Sequence, residues 1–213
     1  MTFAEKLQSA QKHLSKNDRT LAKAIKTYGD CQLRPHKDHY GELVSGIVGQ
    51  QLSIKAAAAI WQRVLALSDG KMPTPQQLVK IDVETLRSIG LSYAKASYVQ
   101  DLALHIIDGR LDMDYIAKLP NKEIMSQLTA VKGIGEWSAH MFMLFGLGRL
   151  DILPVGDLGI KKAAMNLYGL KELPDRIALE ALSSKNSWKP YESVAAWYLW
   201  KSLENDGIRI KKD

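Results

Sequence analysis

Apolar residues in this chain recur at helical spacing almost from end to end, and no segment alternates apolar and polar positions as a half-buried strand must. Val44, Ile47, Val48 and Gln51 fall on one helical face, and Ala56 to Ala59, Ile60, Val64 and Leu65 continue the pattern. Leu78, Ile81, Leu86 and Ile89 follow. Val99, Leu102, Leu104, Ile106 and Ile107 mark another helix, which Gly109 should stop. Ile124, Leu128 and Val131 repeat the spacing, and the strongly apolar residues 136–147 end at Gly146 and Gly148. Ile160, Ala163, Ala164 and Leu167 form a helix closed near Gly169. The last helix runs from Tyr191 to Leu203 with Pro190 in its first turn, where a missing N–H is tolerated. The expected fold class is all-α.

Composition narrows what such a chain can be. Its 213 residues suit one large domain or two small lobes. The net charge of +6 permits a polyanionic partner without requiring one. Cys31 is the sole cysteine, which excludes an internal disulfide framework and any cysteine-ligated zinc or iron–sulfur site. It also fits a reducing compartment. The N-terminal MTFAEKLQSAQKHLSKND lacks the apolar stretch of a signal peptide, and no apolar run reaches the length of about 18 residues that a membrane span needs. A soluble intracellular protein is expected, nuclear in a eukaryote and cytoplasmic in a bacterium. Punctuation is short (MPTP at 72–75, LP at 119–120, ELPD at 172–175), so no flexible linker is expected.

Two segments echo one another. Leu86-Arg87-Ser88-Ile89-Gly90-Leu91-Ser92 and Leu128-Thr129-Ala130-Val131-Lys132-Gly133-Ile134-Gly135 each place a glycine hairpin between helices. The second is the more informative. Gly133 and Gly135 allow positive backbone dihedrals and close approach of another molecule, and the helix starting near Glu136 presents N–H groups suited to an anion. Lys132 adds charge. A tight helix–helix turn with a glycine cap has the same composition.

Further along, Leu153-Pro154-Val155-Gly156-Asp157 leads into a helix. Asp157 reads either as an N-cap or as a carboxylate facing a cleft. In Ser45-Gly46-Ile47-Val48-Gly49-Gln50-Gln51-Leu52-Ser53 a helix breaks at Gly49 and restarts near Ser53. The paired glutamines suit a helix corner with polar caps or a probe reaching into a groove. Trp137, Trp197, Tyr198 and Trp200 supply aromatic faces, and Trp197 is expected in the core. His36 and His39 lack companion ligands for a metal and read as solvated or capping. Ile208 to Lys212 read as a charged tail.

From about Tyr40 to Glu204 the chain resembles the helix-hairpin-helix (HhH-GPD) DNA glycosylase superfamily, in its 3-methyladenine DNA glycosylase II branch. The string LTAVKGIGEWSAHMF matches that family's hairpin pattern, Leu-x-x-Val/Ile-x-Gly-Ile/Val-Gly-x-x-Ser/Thr-Ala. The resemblance implies that Lys132, Gly133, Ile134, Gly135 and Ser138 bind DNA. It implies a structural Na⁺ or K⁺ held by the carbonyls of Thr129, Val131 and Ile134, and a second DNA contact at Gly90, Ser92 and Lys95. Gln51 maps to the wedge that fills the gap left by a flipped nucleotide, with Ser53 beside it. Trp137, Met141 and Trp200 map to the base pocket, and Asp157 to the catalytic carboxylate. Trp137 stands where some members carry a Schiff-base lysine, so a monofunctional enzyme is implied, with no cofactor for its chemistry. Two helical lobes are implied: residues 42–148, and residues 1–41 with 149–213, with Asp157 in the cleft between them.

The implied function is base-excision repair by a monomer acting on double-stranded DNA that contains alkylated bases or abasic sites. The N-glycosidic bond of 3-methyladenine or 7-methylguanine would be hydrolysed after base flipping, leaving an abasic site. An alternative is a glycosylase-fold protein that binds abasic or distorted DNA and excises little. One departure from the family keeps it open. Members commonly read Trp-x-Pro-Tyr-Arg-Ser, whereas this chain reads Trp188-Lys189-Pro190-Tyr191-Glu192-Ser193. A third alternative, a helix-hairpin-helix adaptor without a pocket, leaves Asp157 and the aromatic set unexplained.

Overall fold

A computed structural model describes residues 1–204, and the regular structure among them is entirely helical. The chain forms two compact units, Met1–Pro35 with the chain from Gly148 onward, and His36–Leu147. The charged tail read at Ile208 to Lys212 lies outside the described residues.

The first unit opens with α1 (Phe3–Asn17) and α2 (Arg19–Tyr28). Thr2 and Glu5 close a reciprocal capping box on α1. Asp18 ends α1 and caps α2, accepting from the N–H groups of Thr20 and Leu21 at 2.8 and 3.0 Å. Its other oxygen accepts from the Tyr168 hydroxyl at 2.6 Å and the Trp188 indole at 2.7 Å. A buried carboxylate is tolerable only when its lone pairs are met, and here four donors meet them. Burial and the Asp18 charge push the Tyr168 hydroxyl well above its ordinary value.

The second unit contains α3 (His39–Gly49), α4 (Ile54–Ala66), α5 (Pro75–Lys80), α6 (Val83–Ser88), α7 (Tyr93–Ile107), α8 (Asn121–Thr129) and α9 (Glu136–Met141). Leu43, Val44, Ile47 and Val48 of α3 are buried, as are Ala96, Val99, Leu102 and Ala103 of α7, against which α3, α5 and α6 pack. The apolar run 136–147 is not one regular helix. After α9 it widens into a π turn, Phe142–Gly146. A Cβ on Gly146 would sit 2.8 Å from the Phe142 ring, so only glycine fits there without displacement.

Returning to the first unit, the chain adds α10 (Leu158–Tyr168), α11 (Arg176–Lys185) and α12 (Glu192–Glu204). Three details differ from the sequence reading. Gln51 does not share the α3 face with Val44, Ile47 and Val48, because α3 ends at Gly49 and Gln51 takes a left-handed φ of 56°. Pro190 is not in the first turn of α12. It lies before the helix, after a cis peptide bond, in a turn closed by Tyr191 N–H to the Trp188 carbonyl at 2.7 Å. α11 escaped notice because it buries only Leu179 and Ser183, too few positions to set a clear apolar period.

No helix among the described residues is long and apolar enough to cross a membrane. None of their His, Cys, Asp and Glu side chains gather in groups of three or more that could hold a metal ion.

Candidate active site and nucleic-acid interface

In the His36–Leu147 unit, α8 hands over to α9 through the glycine hairpin. Val131 N–H returns to the Leu128 carbonyl and Ile134 N–H to that of Val131, both at 3.1 Å. Val131 and Ile134 are buried and anchor the turn. Gly133 has φ of 81°, and a Cβ there would overlap the Tyr98 ring. Gly135 is the opposite case. It is the N-cap of α9, no side chain caps it, and a Cβ would meet only open space. Lys132 is exposed at the tip, yet its backbone N–H is committed to Asp101 Oδ2 at 2.8 Å. Ser138 lies in the first turn of α9. The Thr129 and Val131 carbonyls sit at or just after the end of α8, and the Ile134 carbonyl immediately precedes the N-cap of α9. The Val131 carbonyl keeps a second lone pair after accepting from Ile134. Uncharged carbonyl oxygens at the negative end of a helix suit a monovalent cation.

The α3–α4 elbow is tied to both glycine hairpins. Gln50 donates Nε2 to the Gly133 carbonyl at 2.8 Å. Lys95, just beyond the second hairpin, donates Nζ to the Val48 carbonyl at 2.8 Å, and burial lowers its pKa. In that hairpin Gly90 has φ of 105° and Ser92 caps α7. Just after these ties Gln51 and Leu52 are exposed, and Ser53 caps α4 by accepting from Ala56 N–H at 3.2 Å. Gln51 therefore projects from a strained, braced loop.

A cavity of about 370 Å³ opens in the same unit, lined by Ile47, Trp137, Met141, Phe142 and Phe145 among others. Trp137 is 49% exposed. Its polar lining comes from His36, Glu42, Gln50 and Ser138. His36 is held by backbone bonds to the Phe145 and Gly146 carbonyls, and its Nδ1 lies 3.2 Å from Glu42 Oε2. His39 packs edge-on against Phe142, with ring centroids 6.0 Å apart. The sequence reading set both histidines aside as solvated or capping, and it did not single out Glu42. A signal was available: Glu42 and Gly46 of α3 and its C-cap Gln50 recur every fourth residue, a spacing that aligns two polar side chains and a gap.

Asp157 belongs to the other unit. It is 9% exposed and caps α10, with Oδ1 accepting from Ile160 N–H at 2.8 Å. The same oxygen accepts from the Trp200 indole of α12 at 2.9 Å. A Cβ on Gly159 would lie 3.0 Å from that oxygen and 3.2 Å from the Trp200 ring. Trp200 is thus brought to Asp157, whereas Trp137 and Met141 line the cavity of the His36–Leu147 unit. Trp197 is half-buried, edge-on to Tyr198, and Trp188 is the tryptophan that is fully buried. Glu192 is 7% exposed, with Oε2 lacking a hydrogen-bond partner, and desolvation raises its pKa.

Two glycine hairpins between helices, with Gly90 and Gly135 exposed, stand on an all-helical scaffold and define a helix-hairpin-helix protein. Residues 44–189 match the family described as HhH-GPD superfamily base excision DNA repair protein, and the chain belongs to that superfamily. It is 35% identical over 197 residues to an alkylbase DNA glycosidase-like protein of Schizosaccharomyces pombe, covering 90% of this chain and 92% of the relative. The fold superposes on a DNA-3-methyladenine glycosidase from Bacillus halodurans with a TM-score of 0.85 and 40% identity, covering 93% of this chain and 90% of that one. It also superposes on the Schizosaccharomyces pombe 3-methyladenine DNA glycosylase in complex with abasic DNA. There the TM-score is 0.83 and the identity 32%, over 94% of this chain and 99% of that one.

Proposed function

We propose that this chain is a monofunctional DNA glycosylase that flips alkylated purines, of the 3-methyladenine and 7-methylguanine type, and hydrolyses their N-glycosidic bond. The observation that carries the reading is the buried Asp157 carboxylate, aimed by an α10 amide and the Trp200 indole. Bond cleavage builds positive charge on the sugar, and a preorganised carboxylate stabilises that oxocarbenium-like state and orients the attacking water. A purine alkylated at N3 or N7 already carries positive charge, so it leaves without a dedicated general acid.

DNA is gripped at Lys132, Gly133, Ile134, Gly135 and Ser138, with Gly90, Ser92 and Lys95 as a second contact. Since the Lys132 and Ile134 N–H groups are committed within the protein and Lys95 gives one of its three ammonium donors to Val48, the grip falls chiefly to other hairpin amides and the lysine charges. A monovalent cation on the Thr129, Val131 and Ile134 carbonyls would add positive charge beside the phosphate. Gln51 fills the vacated stack with Ser53 beside it, Trp137 and Met141 of the His36–Leu147 unit are assigned to the base, and Trp200 orients Asp157.

The test is release of 3-methyladenine and 7-methylguanine from methylated DNA, paired with abasic-duplex binding. Wild type should release both. Asp157→Asn keeps the cap and should lose about two to three orders of magnitude in rate while still binding abasic DNA. Near-wild-type release by Asp157→Asn would reduce Asp157 to a helix cap.

Glu192 favours a second reading, an abasic-DNA binder that excises little. An acid with an unmet buried oxygen opens the helix that carries Trp200, where family members commonly have arginine. Glu192→Arg should then raise release at similar thermal stability. Unchanged release discards Glu192 as the limiting residue.

A further inference from the structure

The cavity of the His36–Leu147 unit is mostly apolar and aromatic, and the titratable side chains in its lining are His36 and Glu42. Glu42 sits in the first turn of α3 and lines the cavity, where His36 Nδ1 approaches its Oε2 at 3.2 Å. Gln50 is oriented too. A backbone carbonyl can only accept, so the bond to Gly133 sets the NH₂ end of the Gln50 amide toward the hairpin and leaves its oxygen uncommitted to that contact. Ser138 and His36 can donate, whereas Glu42, whose Oε1 is not the oxygen facing His36, and the Gln50 oxygen are acceptors in this lining.

We infer that Glu42 is a specificity-determining residue whose carboxylate reads positive charge and N–H donors on the base held in this cavity. It selects cationic alkylated purines over neutral adducts that present no N–H. This rests on the glycosylase reading above. A carboxylate accepts and cannot donate, so a base with an exocyclic amino group or a delocalised positive charge satisfies it. A neutral base with only acceptors facing it leaves lone pairs opposed, a mismatch that discriminates more strongly than shape does. Trp137 selects in the same direction, because an electron-rich indole face attracts an electron-poor ring.

The experiment uses the full chain and duplexes carrying a single 7-methylguanine or a single 1,N6-ethenoadenine. The first is cationic with N–H donors. The second is neutral with its exocyclic nitrogen closed into a ring. Single-turnover release rates are measured for wild type, Glu42→Gln and Glu42→Asp. Glu42→Gln keeps shape and removes charge, and should lower the ratio of 7-methylguanine to ethenoadenine release by about tenfold. Glu42→Asp withdraws the carboxylate by one methylene and should lower the ratio less, so it reads the same quantity should the glutamine variant not fold. A ratio unchanged in a folded variant, including one where both rates fall in proportion, overturns the inference while leaving the glycosylase reading intact. A wild-type protein that releases neither base overturns both.

Discussion

Gln50 donates its side-chain amide to the backbone carbonyl of Gly133 across 2.8 Å, joining the elbow that carries Gln51 to the hairpin assigned to a DNA phosphate. With the Lys95 bond to Val48, it makes the elbow and both hairpins one braced assembly. On the proposed function, gripping the backbone and filling the stack should be coupled.

Gln50→Leu should remove that brace and leave the Gly133 carbonyl unmet. The stability cost is about 1 kcal/mol, or roughly 2–4 °C in melting temperature for a chain of this size. Capture of an abasic duplex should weaken more than binding to undamaged duplex, and Gln50→Leu with Gln51→Ala should be non-additive. Strict additivity would show that the two glutamines act independently.

The two hairpin glycines should fail in different ways. Gly133→Ala puts a Cβ into the Tyr98 ring at a left-handed φ, so it should lower the melting temperature. Gly135→Asp projects into open space and should fold normally, yet its charge faces the phosphate and should sharply weaken DNA binding. The slope of log affinity against log salt, near −0.9 for each phosphate contact, should become shallower for Gly135→Asp. Equal affinity for folded Gly135→Asp and wild type would remove the hairpin from the interface.

Gly159→Ala separates activity from stability. In a helix this change ordinarily stabilises by up to about 1 kcal/mol. Here the new methyl crowds Asp157 Oδ1 and the Trp200 ring. Base release should fall at least tenfold through misplacement of the carboxylate, while the melting temperature holds or falls only slightly. Wild-type release rates in this variant would mean that the bond between Trp200 and Asp157 does not set the rate.

Glu192 should make stability depend on pH. Desolvation raises its folded-state pKa above the ordinary 4.5. The folded state therefore holds this proton more tightly than the unfolded chain. The contribution of Glu192 is fully present below that ordinary value and is lost as pH rises through the folded pKa. Glu192→Gln removes this loss. Relative to wild type, its melting temperature should climb as pH rises from that ordinary value through the folded pKa of Glu192 and level off above it. A difference independent of pH would place the Glu192 carboxyl in contact with water.

The all-helical fold, the glycine hairpins, the helix break after Gly49 and the position of Asp157 before a helix are properties of the sequence, because each depends on residues within a turn or two of one another. Periodicity, caps and glycine dihedrals are local physics. Tertiary structure decided what no local pattern carries. It paired Asp157 with Trp200 across 43 positions of chain and Gln50 with Gly133 across 83. It brought Glu42, an acid unremarked in the sequence, to the lining of an aromatic cavity beside His36, which stays exposed as expected. It buried Asp18 between Tyr168 and Trp188, and left Glu192 shielded from water without a partner for one oxygen. Hydrogen bonds between distant segments and the desolvation of a charge exist only once the chain has packed.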